Sequence, residues 1–176
     1  ETDPTPVIHD TTLDICSQSS FLLTPQNNGS YTIVPSNTSY TWIVSQPFNP
    51  NVTGQSDQLS PVAGTISQTL TNSSSVTQSV YYRVNPVSGA VGLCDGDSFT
   101  IRVDVNPKPY IPQKDTTICS GDNFNYVPVD LQTPVTIVPS NTTYQWGIPT
   151  TNGPVGGILN LQQSNLSLIH ISEPTR

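Results

Sequence analysis

The stretch TIVPSNTSYTW, Thr32 to Trp42, returns as TIVPSNTTYQW from Thr136 to Trp146, with nine of eleven residues identical at an offset of 104. A fixed period constrains a fold more than any local motif, because each repeat must be one unit that packs by the same contacts. Two further anchors share the spacing. DPTPVI (Asp3 to Ile8) matches NPKPYI (Asn106 to Ile111), and ICS at Ile15 to Ser17 matches ICS at Ile118 to Ser120, both at an offset of 103. The chain therefore reads as a tandem array with a period of about 103 residues.

On this register residues 1–10 are the tail of a preceding linker and 11–105 form a complete module. Residues 106–115, NPKPYIPQKD, are a linker whose alternating prolines favour an extended, semi-rigid connection. Residues 116–165 are the N-terminal half of a second module, truncated before the counterparts of Thr65 to Val105. Half a sandwich leaves one sheet face uncovered, so this segment is expected not to bury a core of its own. The last eleven residues, LSLIHISEPTR (Leu166 to Arg176), match nothing before them and read as sequencing-adaptor read-through, not native, so they are set aside.

Period-two alternation marks the strands of the complete module. SFTIRVDV places Phe99, Ile101, Val103 and Val105 on one face; SVYYRV groups Val80, Tyr82 and Val84; SYTWIV groups Tyr40, Trp42 and Val44. TISQTL is weaker, with Ile66 and Leu70 flanking Gln68, and short strands are expected near Leu13 to Ile15, Phe21 to Leu23 and Tyr31 to Val34. About seven strands in a module of this size, with turns such as PQNNGS and TNSSS between them, predict an all-β, immunoglobulin-like β-sandwich. Trp42 and its counterpart Trp146 are expected to be core plugs, each contributing roughly 2–3 kcal/mol by buried area. The alternative for Trp42, an exposed ligand platform, fits poorly with its place between two inward residues.

Module one carries Cys16 and Cys94, and module two carries Cys119; the counterpart of Cys94 falls at about position 197, so Cys119 is expected to be unpaired by truncation. A Cys16–Cys94 disulfide is the expectation, with an oxidising, extracellular compartment and roughly 4.5 kcal/mol from loop closure. The alternatives are two buried free thiols, or a metal site, which two distant cysteines without a nearby histidine support poorly.

Composition removes several function classes. The net charge is -7, with 12 acidic against 5 basic residues, so a phosphate backbone would find few cations and no nucleic-acid partner is expected. No apolar run is long enough to insert this segment into a membrane. Seventeen prolines and eleven glycines favour strands and turns over long helices. No nucleophile elbow, zinc-protease helix, P-loop or dinucleotide fingerprint occurs, and apart from His170 the only histidine is His9, in a linker. No catalytic residue or cofactor is therefore expected. CDGDSF offers Asp95 and Asp97 as weak calcium candidates, but it lacks the further ligands of an EF-type loop and reads first as an Asp-Gly turn. SGD at Ser120 to Asp122 reads the same way. Glycosylation sequons occur at Asn28, Asn37, Asn51, Asn72 and Asn141, and they matter only in a source that glycosylates.

The ordered set C-x-G-D-x-F, IVPSNTTYQW, GTISQTLTN, SVYYRVNPVSG, a second cysteine and FTIRVDVNPKP resembles the PKD-like repeats of Bacteroidetes surface proteins, over residues 3 to about 165. Those include gliding-motility adhesins exported by the type IX secretion system. Module one departs at CSQSSF, which lacks the Gly-Asp, and the WDFGDG-type signature of ordinary PKD domains is absent. The resemblance implies a non-catalytic, surface-displayed stalk or adhesive filament, outside the cell, whose partners are neighbouring repeats and surface polysaccharide or other cells. A second expectation is an accessory spacer or carbohydrate-binding module of an exported multidomain hydrolase. A third is a glycan- or calcium-binding module in its own right, with Tyr81, Tyr110 and Phe48 as aromatic candidates.

Overall fold

A strand that alternates apolar and polar side chains has one face to bury, and two such sheets laid face to face bury it for each other. The computed structural model of the chain describes residues 4–89, 92–119, 121–131, 135–146, 161–163 and 167–170. It divides into two compact units, Glu1–Lys108 and Pro109–Arg176. The described residues of the first unit form eight strands: β1 (Thr11–Cys16), β2 (Ser19–Leu23), β3 (Ser39–Val44), β4 (Val52–Thr53), β5 (Gln58–Ala63), β6 (Ile66–Asn72), β7 (Gln78–Val87) and β8 (Phe99–Asn106). They build a five-stranded sheet in the order β1-β8-β7-β3-β5 and a three-stranded sheet in the order β2-β6-β4. The first strand runs parallel to the last, from Thr11 opposite Ile101 to Cys16 opposite Asn106. The fold is an all-β sandwich of the immunoglobulin-like kind.

The inner faces supply one core. From the larger sheet come Tyr40, Trp42, Val44, Val80, Tyr82, Val84, Phe99, Ile101, Val103 and Val105, and from the smaller Phe21, Val52, Ile66 and Leu70. Phe21 and Tyr82 meet across the two sheets with ring centroids 5.3 Å apart. Trp42 is buried, and its indole nitrogen donates to the Ser56 carbonyl at 3.2 Å. The Tyr82 hydroxyl donates to Gln68 Oε1 at 2.8 Å, so the polar residue between Ile66 and Leu70 holds a partner on the opposite sheet. Burial pushes the Tyr82 phenol well above its ordinary pKa. It therefore stays protonated as a donor across the pH range of a folded protein.

Three elements differ from the pattern read in the sequence. Tyr31 to Val34 forms isolated bridges instead of a strand, Ile33 pairing with Val7 and Thr32 with Asn28. β4 and β5 were invisible to alternation, since β4 has two residues and β5 is a mostly exposed edge strand carrying Pro61. Proline has no N–H to give a ladder and is tolerated at a sheet edge.

In the second unit, β9 (Asn123–Asn125) pairs with β12 (Ser167–His170), and β10 (Tyr144–Trp146) pairs with β11 (Leu161–Gln163). The turn inside the repeated eleven-mer folds the same way in both copies. Thr38 closes a turn onto the Pro35 carbonyl through its N–H (3.2 Å) and hydroxyl (2.6 Å), and Thr142 does so onto Pro139 at the same distances. Asn37 and Asn141 both take positive φ, 59° and 62°. Val127, Val129, Leu131 and Val135 are half or more exposed. The side chain of Trp146, most of 147–165 and most of the segment read as adaptor lie outside the described residues.

Gly54 carries the tightest backbone approach in the first unit. Its φ is +90°, and a Cβ there would lie 2.1 Å from the Thr69 carbonyl oxygen of β6. Gly54→Ala is expected to lower the unfolding free energy by roughly 3 kcal/mol, from left-handed strain plus backbone displacement. Trp42→Ala is expected to cost about 3–5 kcal/mol by emptying the centre of the core. Urea denaturation followed by tryptophan fluorescence measures the first, and by circular dichroism the second.

Candidate functional site at the two ends of the module

The side chains that could serve a function gather at the two ends of the module and on its outer surface. Residues 6–10, read from the sequence as a linker tail, are built into the leading end, where the chain arrives. Pro6 is buried, Val7 exchanges two backbone hydrogen bonds of 2.9 Å with Ile33, and Asp10 Oδ1 accepts from the Thr100 N–H at 2.6 Å. His9 stacks on Tyr31 with centroids 4.1 Å apart, and its Nε2 donates to the Tyr31 carbonyl at 2.7 Å. In the second unit Tyr110 makes the same bridge to Ile137, at 2.9 and 2.8 Å. The stretch read as a linker thus docks through an isolated bridge onto the loop that follows it, by Val7 on Ile33 and by Tyr110 on Ile137.

Cys94 belongs to this leading end. Ser88, just past β7, gives its N–H to the Cys94 carbonyl at 2.9 Å, and its hydroxyl accepts from the Cys94 N–H at 3.0 Å. Asp95 then bridges to Val87, and exposed Asp95 and Asp97 flank Gly96, whose N–H bonds the Pro86 carbonyl. Among the described residues no three His, Cys, Asp or Glu side chains gather in a metal-holding arrangement.

The trailing end, where the chain departs, is organised by Asn72. This buried side chain donates to the Val76 and Val105 carbonyls at 2.7 and 2.8 Å and accepts from the Ser74 N–H and hydroxyl. Its backbone N–H donates to Ser17 Oγ at 2.9 Å. Beside it β1 crosses to the other sheet through a turn in which Gln18 takes φ 69°, the place that Gly121 (φ +87°) fills in the second copy. The missing glycine of CSQSSF is thus met by a left-handed glutamine. Gln18 is anchored by its N–H on the Leu70 carbonyl at 2.8 Å and by Lys108 Nζ on its side chain at 3.3 Å. In the second unit the Cys119 N–H and Asp122 carboxylate close the corresponding turn at 3.3 Å.

This architecture corrects the expected Cys16–Cys94 bond. Both thiols are free, as is exposed Cys119. Because β1 is parallel to β8, Cys16 lies level with Asn106 at the trailing end, while Cys94 lies level with Ser88 at the other. Gln78 pairs with Val105 and sits ten residues before Ser88 along β7, which spans roughly 30 Å of strand. A disulfide needs Cα atoms within about 7 Å.

The outer face of the larger sheet carries Tyr81, Arg102 and Asp104. The Arg102 guanidinium stands 6.0 Å over the Tyr81 ring, covering the face a sugar would stack on. Arg102 Nε reaches Asp104 at 2.9 Å, and Ser79 also donates to that carboxylate. Burial raises the Asp104 pKa, but the hydrogen bonds from Ser79 and Arg102 and the Arg102 charge outweigh it and hold it below the usual carboxylate range. Phe48 and Tyr110 are exposed. The aromatic that the sequence reading missed is Tyr31, 65% exposed beside an open groove of about 450 Å³ whose walls include His9, Asp10, Gln26 and Asn28. Only the bridges of residues 7–9 onto the 28–33 loop bring those groups together, and spacing gave no sign of it. Among the sequons, Asn28, Asn37, Asn51 and Asn141 are exposed, whereas Asn72 is enclosed and hydrogen-bonded.

A family model described as a PKD-like domain matches residues 13–109, more than half of the chain. No curated protein and no solved structure matches it.

Asn72→Ala leaves the Val76 and Val105 carbonyls without their donor and is expected to cost about 3 kcal/mol in urea denaturation. The Asp104 pKa is lower folded than unfolded, so its contribution is present above the unfolded value and is lost as pH falls through the folded one. Asp104→Asn should flatten the decline of stability below about pH 4, read as the urea midpoint against pH.

Proposed function

The chain belongs to the PKD-like domain family, and from that premise we propose that it is a load-bearing repeat of a large secreted bacterial cell-surface protein, an adhesin stalk of the kind used in gliding motility. At the family level such domains are non-catalytic structural or adhesive modules. The finer reading rests on the sequence resemblance to type IX-exported adhesins and on one observation, the parallel pairing of β1 with β8.

Force on a serial module enters at its leading end and leaves at its trailing end. β1 begins at the first and β8 finishes at the second, and six residue pairs, Thr11 with Ile101 through Cys16 with Asn106, lie in register between them. Pulling the ends apart slides these strands lengthwise, so their ladder hydrogen bonds are strained together in shear instead of being opened one at a time. Resistance to forced unfolding is governed by the barrier to that concerted step. The hydroxyl- and amide-rich surface, sparse in charge, suits a module whose task is extension, since only 10% of residues are charged.

A second reading, an accessory carbohydrate-binding module of an exported hydrolase, draws on the Tyr31 groove. His9 stacks on one side of the Tyr31 ring, and the ring, still 65% exposed beside amide and carboxylate groups, is suited to a sugar face and its hydroxyls. Loss of glycan-array binding in Tyr31→Ala would favour this alternative.

Single-molecule pulling on the chain ends tests the load-bearing role. Unfolding of the first module should release a step of roughly 0.35 nm per residue. Leu13→Pro, which takes from the clamp an N–H that faces β8, should lower the unfolding force by half or more, while Leu70→Ala in β6, of similar thermodynamic cost, should leave it nearly unchanged. Equal force loss in both variants would refute the clamp.

A further inference from the structure

Cys16 and Cys94 are thiols that the fold cannot join within one module, yet it leaves neither in the core. Cys16 is the last residue of β1, where alternation turns Leu13 and Ile15 inward and Cys16 to solvent. Cys94 is half-buried in a loop held by Ser88, beside Leu93, which is 66% exposed. A cysteine used for packing behaves as a small hydrophobe and is buried. These two stand at opposite ends of the module, one where the chain departs and one where it arrives.

The ends also differ in charge. Beside Cys16 stands Lys108, reaching the side chain of Gln18. Beside Cys94 stand exposed Asp95 and Asp97. A trailing end laid against a leading end sets the lysine toward the two aspartates. Two like ends set lysine against lysine, or aspartates against aspartates, and interfaces reject such juxtapositions.

We propose that Cys16 and Cys94 form disulfides between copies of the module, trailing end to leading end, and never within one copy. The inference rests on topology and charge and does not depend on an adhesive role. In the step, the Cys16 sulfur of one copy and the Cys94 sulfur of another form one S–S bond. The two electrons and two protons pass to a low-molecular-weight disulfide, which is cleaved to two thiols.

The test uses the full chain as two single-thiol variants, C94S/C119S retaining Cys16 and C16S/C119S retaining Cys94. Serine at Cys119 removes the repeat counterpart of Cys16, and Trp42 fluorescence verifies that each variant is folded. One variant is labelled with nitrogen-15, the two are mixed in equal amounts with oxidised glutathione at low salt, and the three disulfide dimers are then sorted by mass. Random pairing gives twice as much mixed dimer as either like dimer. The proposal predicts a mixed-to-like ratio about fivefold above the statistical one, an excess that shrinks with added salt and with Lys108→Glu. In the unsubstituted chain, peptide mapping should find the Cys16–Cys94 link in species of twice the mass. A statistical mixture, glutathionylated monomers alone, or a Cys16–Cys94 link within the monomer would overturn it.

Discussion

The parallel pairing of β1 with β8 is the constraint on which the rest of the module depends. Strands joined by a tight hairpin must run antiparallel, so a parallel pair has to come from segments far apart in sequence. Here the pair is the first and last strands of the module. It completes the larger sheet, sends arrival and departure to opposite ends, and sets the two module cysteines a full strand length apart. One pairing thus decides how force crosses the module and which thiols can meet.

Around that pairing, buried polar groups work as joints between the sheets. Asn72 ends β6 in the smaller sheet and binds the Val105 carbonyl of β8 in the larger, while Ser17 binds the Asn72 backbone from the turn after β1. Gln68 and Tyr82 make a second joint near the middle. Each is satisfied, and a satisfied buried polar pair specifies one alignment of two sheets that apolar contacts alone would let slide. The apolar core supplies the cohesion and these joints choose the register.

Much of this was legible in the chain because alternation is a local property. Tyr40-Trp42-Val44, Val80-Tyr82-Val84 and Phe99-Ile101-Val103-Val105 announce buried faces by spacing alone, and the buried faces lie there. β5 was hidden because an exposed edge strand needs no alternation, and Pro61 there resembles a turn residue. Asn72 looked like one polar residue among many, since its partners at Ser17 and Val105 are 55 and 33 residues away. The stack of His9 on Tyr31 is another pairing across distance, in a segment whose composition reads as linker.

By itself the sequence determined the repeat, the strand-rich character, the inward faces and the absence of recognisable catalytic motifs, because period and alternation are written residue by residue. Only the tertiary structure decided which strands became neighbours, and so which cysteines could reach each other. Sequence separation says nothing about the direction in which two strands lie, and a parallel first-to-last pairing carries Cys16 to the end of the module opposite Cys94. An antiparallel one would have brought Cys16 back toward the start of β8.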